Sequence, residues 1–127
     1  MKLSVLLFAR ILFMVPFLML GMQHFLTADE MAGMVPSWLP GGIVWIYITG
    51  VFEVAAALAI ISAIQIRLAG FLLCLLLLIY VAFMHIPSML RADPTTSMLG
   101  MIGVMKDIGL AGGALLLSHI YTKRKPS

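Results

Sequence analysis

The chain has 127 residues, 63% of them hydrophobic and 10% charged, with a net charge of +3. A soluble domain carries about a quarter of its residues as charges, so lipid must cover much of this surface, and the length suits one small domain. Outside Lys123, Arg124 and Lys125 the basic residues are scattered, which argues against nucleic acid and for a juxtamembrane tail on anionic lipid.

Leu3 to Met22 reads as the first membrane span. Lys2 before it also fits a signal peptide, but Arg10 interrupts the apolar region and no small-x-small site follows Leu20, so cleavage is not expected. Pro16 is expected to kink the span, which membrane helices tolerate when neighbours satisfy the freed carbonyl. His24 to Gly41 forms the first loop. Thr27 is placed to cap a short surface helix with Asp29 and Glu30 in its first turn, and Trp38 to act as an interfacial anchor.

The second span runs from about Gly42 to Ile64, and Gln65-Ile66-Arg67 makes a tight turn. The third runs from about Leu68 to Ser88, and the fourth from about Met98 to Ile120. The expected fold is all-α: an integral membrane four-helix bundle, up-down-up-down, forming a single transmembrane domain over residues 1–127. Lys2, Arg67, Lys123, Arg124 and Lys125 fall on one side and only Arg91 on the other. The positive-inside rule then sets both termini in the cytoplasm, which for a bacterial cell means the inner membrane.

Ionisable groups inside an apolar span are costly and usually functional. Glu53 lies near the centre of the second span. Counted from the expected span ends, Arg10 and Glu53 differ in depth by about 6 Å, so Arg10 is the expected charge partner. Arg10, Met14, Phe17, Gly21 and His24 share one face of the first span. Gly50, Ala56 and Ala57 flank the Glu53 face, with Ile46 and Ile60 beyond. Asp107 lines up with Gly100, Gly103, Ala111 and Ala114, a small-residue stripe that suits close helix packing. Asp107 is therefore aimed inward and Lys106 outward, snorkelling or reaching around. His85 lies about one turn inside the outer end of the third span, with Cys74 eleven residues earlier on nearly the same face. Glu53, Asp107, His85, His24, Arg10 and Lys106 are the candidate ligand-binding residues, and His24, His85 and Asp107, with Glu53 beneath them, are expected to line one polar cavity open to the outside.

Other chemistries lack their residues. Cys74 is the only cysteine, which excludes an internal disulfide and a Cys-x-x-Cys pair. The histidines and carboxylates have no metal-ligand spacing, and the eleven methionines read as membrane filler, so no bound metal is expected. There is no phosphate loop or HExxH motif, and no catalytic residue is assigned.

Several short motifs together resemble the DoxX family of small four-helix membrane proteins. They are Arg10, Gly21-Met22-Gln23-His24-Phe25, Val35-Pro36, Leu39-Pro40, Gly50-Val51-Phe52-Glu53, Arg67-Leu68-Ala69, Lys106-Asp107 and Gly112-Gly113. The pattern is also distantly similar to NACHO-type membrane chaperones. The family often has Lys-Asn where this chain has Lys106-Asp107. The resemblance implies a membrane component of a redox process that binds a quinone or another small apolar molecule, with Phe13, Met14, Phe17 and Trp45 as apolar wall. Electrons would have to come from a partner redox protein, because the sequence offers no centre of its own. The NACHO-like branch implies instead a non-catalytic chaperone or assembly factor for partner transmembrane helices. Small-residue stripes can pack within one bundle or between copies, so a homo-oligomer is also open.

Overall fold

The computed structural model describes residues 2–123, and side chains from Val5 to Tyr121. Arg124 and Lys125 lie outside the described residues, and the side chains of Lys2 and Lys123 outside the described side chains. Every regular element is helical: α1 (Lys2–Leu26), α2 (Ala28–Met31), a 3-10 turn (Ala32–Met34), α3 (Ile43–Ile61), α4 (Ile66–Tyr80), a π-helical segment (Val81–His85), α5 (Ile86–Met89) and α6 (Pro94–Lys123). Four helical stretches are long and apolar enough to cross a membrane: Val5–Leu26, Ile43–Ile61, Ile66–Met89 and Pro94–Tyr121. The chain divides into two compact units, Met1–Ile66 and Arg67–Ser127.

In the first unit α1 and α3 pack antiparallel. Gly21 lies against Gly50, Glu53 and Val54, and Phe25 meets Tyr47 with ring centroids 6.1 Å apart. The buried face of α1 is Met14, Phe17, Gly21 and His24; that of α3 is Ile46, Gly50, Glu53, Ala56, Ala57 and Ile60. These are the positions that a 3.6-residue period brings to one side. Pro16 lies within a continuous α1, since the helix is unbroken from Lys2 to Leu26.

Thr27 precedes α2, but its hydroxyl makes no cap. It donates back to the Gln23 carbonyl at 3.0 Å, closing the end of α1 instead of opening α2. The chain re-enters α3 through Gly41 (φ 111°) and Gly42 (φ 52°), where a side chain would be strained. Trp45 closes this turn, its indole Nε1 donating to the Pro40 carbonyl at 2.6 Å. Trp45 is 38% exposed, so it belongs to the turn and not to a buried wall.

α3 ends in a Schellman arrangement. The Ile64 amide bonds the Ala59 carbonyl at 2.9 Å and the Ala63 amide the Ile60 carbonyl at 3.3 Å. Ala63 occupies the left-handed position at φ 63°, which normally belongs to glycine.

In the second unit the long helix Ile66–Met89 runs antiparallel to α6. Ser118 Oγ donates to the Arg67 carbonyl at 2.7 Å at one end, and Ser97 Oγ to the Met89 carbonyl at 2.7 Å at the other. Pro87 explains the π segment before α5. A proline has no amide hydrogen, and its ring collides with the carbonyl four residues back, here that of Phe83. A widened turn relieves both problems. Asp93 caps α6: its Oδ2 accepts from the Thr96 amide at 2.9 Å and from the Thr96 hydroxyl at 2.6 Å. Pro94 fills the first helical position, where no amide is needed.

Two outcomes are expected. Ala63→Gly should raise stability by up to about 1 kcal/mol by relieving the left-handed strain, read as a higher midpoint in detergent unfolding; a lower midpoint would refute that turn geometry. The Thr96 hydroxyl, with the Thr96 amide, holds the Asp93 carboxyl below its usual pKa. The cap is therefore in full force above the ordinary carboxylate range and is lost as pH falls through the lowered value. Asp93→Asn, which keeps an acceptor, should remove this acid-side loss, whereas Asp93→Ala should lower the melting temperature at neutral pH as well.

Candidate functional site

Four ionisable side chains end up in two pairs, each formed within one unit. Glu53 is 2% exposed and His24 7%. His24 Nδ1 lies 3.7 Å from Glu53 Oε2 and 3.5 Å from the Thr49 hydroxyl. That hydroxyl also donates to the Trp45 and Ile46 carbonyls, at 2.8 and 3.1 Å, which fixes it against α3. The pair needs α1 and α3 very close, and Gly50 permits this. A Cβ at Gly50 would stand 2.7 Å from the His24 Cβ, closer than side chains tolerate.

This corrects the expected partner of Glu53. His24, not Arg10, is brought within ion-pair distance of it. Gly21 is the α1 residue beside Glu53, and Arg10 precedes it by eleven residues, about 16 Å along the axis. The expectation assumed that the first two spans end level. In fact α1 has 25 residues and α3 has 19, and α1 extends past the end of its neighbour.

In the second unit Asp107 is 2% exposed. Its Oδ2 lies 2.8 Å from His85 Nε2, and its Oδ1 lies 3.4 Å from Lys106 Nζ. Lys106 thus reaches around to its neighbour while half of its side chain stays exposed. The His85 side chain is 24% exposed. Gly103 lies directly under the imidazole, so that any side chain there would overlap the ring. Gly100, Gly103, Ala111 and Ala114 are buried along the same stripe as Asp107.

The two pairs follow one plan. A histidine near the end of the first long helix meets a carboxylate on the second, beside a glycine three or four residues before that carboxylate. Sequence reading found all four residues but missed this pairing. The signal was available in Gly50 and Gly103, which precede the two carboxylates at helical spacing. Among the described residues no group of three or more His, Cys, Asp or Glu is placed to hold a metal ion.

Chemically, each pair is a carboxylate acceptor with an imidazole able to donate, accept or carry a proton. It lies in surroundings where an uncompensated charge is expensive. A family model described as "Domain of unknown function (DUF8561)" matches residues 13–108. The chain belongs to this family. The matched DUF8561 stretch contains both His–carboxylate pairs and Lys106, and begins after Arg10. No curated protein and no solved structure matches the chain.

A double-mutant cycle tests the tighter pair. His85→Ala and Asp107→Ala should each destabilise, and the double variant should lose less than their sum by about 1–2 kcal/mol. Additive losses would mean that the two side chains do not interact.

Proposed function

We propose that this member of the DUF8561 family is a multi-pass protein of the inner membrane. In this reading its four long helices cross up-down-up-down as a bundle with both termini cytoplasmic. It binds a small apolar molecule by a polar head at the buried His85–Asp107 pair, as a component of a redox process. The redox setting and the quinone-like ligand class come from the resemblance to DoxX proteins.

The observation that carries the binding reading is the His85–Asp107 pair with Lys106 at its edge. Burying a carboxylate in an apolar helix costs several kcal/mol before any partner repays it. The second unit already ties its helices together more cheaply, through the hydroxyls of Ser97 and Ser118 on backbone carbonyls. A pair this costly suits a task beyond holding two helices together. The imidazole retains exposed surface through which a ligand's polar head can reach it. Large apolar side chains on all four long helices are exposed, among them Phe8, Val51, Phe71 and Leu116, which supports contact with lipid.

Native mass spectrometry on protein extracted gently from its own membranes checks this. The wild type should carry a stoichiometric adduct of quinone-like mass, and Asp107→Asn should lose it while remaining folded. Lipid as the sole adduct would leave the pairs structural and sink the proposal. A co-purifying membrane protein with no small adduct would move the function to the assembly-factor class.

A further inference from the structure

We propose that Arg10 forms a binding site for the phosphodiester headgroup of an anionic phospholipid in the leaflet on the N-terminal side. The inference rests on the reading that these helices span a bilayer, and it concerns a residue outside the His–carboxylate pairs. Arg10 continues the face of α1 that buries Met14, Phe17, Gly21 and His24. Its Nε is buried and has no hydrogen-bond partner among the described residues. A guanidinium donor left unmet in a dry site is costly, more so than a neutral one. It cannot shed its charge to escape, since arginine stays protonated. Among the described residues no acceptor meets it, which leaves room for one supplied by a lipid.

Depth decides what kind of acceptor. Gly21 faces residues 50–54 on the antiparallel α3. Continuing that register eleven residues back along α1 sets Arg10 level with residues 61–65, the end of α3 and the turn after it. A 19-residue α3 is about 29 Å long, close to the hydrocarbon thickness, so its end marks the headgroup boundary. Arg10 thus lies at phosphate level, not in mid-membrane. The planar fork of arginine matches two phosphate oxygens at once. Ile11, Leu12 and Val15, on the bilayer side of Arg10, are all at least one-third exposed and offer apolar surface to acyl chains. A phosphate with chains attached fits both features, whereas a free anion fits only the first.

The test uses the full-length protein in a zwitterionic detergent, titrated with phosphatidylglycerol or phosphatidylcholine and read by native mass spectrometry. The wild type should retain phosphatidylglycerol preferentially, and Arg10→Gln should reduce that preference about tenfold, the size of a lost charge-assisted contact. Arg91→Gln, which removes an exposed charge elsewhere, should leave it unchanged. Should Arg10→Gln not fold, Arg10→Lys keeps the charge but not the fork, and a preference equal to wild type would overturn the site. Equal loss in Arg91→Gln would also overturn it, as a matter of net charge alone. Displacement of the lipid by millimolar inorganic phosphate would reassign the site to a soluble anion. Protein that stays soluble without detergent and retains neither lipid would fail the membrane reading, and this inference with it.

Discussion

A carboxylate buried among apolar helices constrains everything near it. Glu53 and Asp107 are each only 2% exposed. Neither can draw on the amides of its own helix, which are committed to the backbone ladder, and each meets a histidine of the facing helix. A donor as short as histidine demands close backbones. Close backbones in turn demand glycine opposite, at Gly50 in one unit and Gly103 in the other. The small residues along α3 and α6 are thus consequences of where the carboxylates sit. Ala56, Ala57, Ala111 and Ala114 extend the close approach that the glycines begin.

The π segment is a second constraint, and it acts through Pro87. One additional residue in a turn rotates everything beyond it by about 100° relative to an unbroken helix. Cys74 precedes the segment and His85 closes it. Ideal periodicity puts these two on nearly the same face, yet Cys74 is 7% exposed and the His85 side chain 24%. The bulge sets the phase at which the imidazole meets α6. The cost of fitting a proline into a helix is here tied to the aim of the His85 imidazole.

The lateral direction of side chains was legible in the sequence, and axial level was not. Periodicity alone identifies Met14, Phe17, Gly21 and His24 on α1, the Glu53 face of α3, and the Asp107 stripe of α6, all of them buried. It also separates Asp107 from Lys106, since neighbours on a helix diverge. Nothing in a single helix's pattern states how far its neighbour is shifted along the axis. α1 continues to Leu26, four residues past the expected end, and α3 stops at Ile61, three residues before it. Errors of that size move a side chain by about 5–6 Å, enough to exchange one partner of Glu53 for another. Thr27 was misplaced for a different reason. A hydroxyl at a helix junction can serve either helix, and here it closes the one it has just left.

The two pairs are built alike but are not chemically equivalent. Asp107 has the Lys106 amine within 3.4 Å beside the His85 imidazole, whereas Glu53 meets the His24 imidazole at 3.7 Å. An ionised carboxylate only accepts hydrogen bonds. The ring nitrogen that faces Asp107, Nε2, must then carry the hydrogen. The Nδ1 side of the ring lies against Gly103. The carboxylate and the glycine of one helix thereby fix the orientation of the histidine between them.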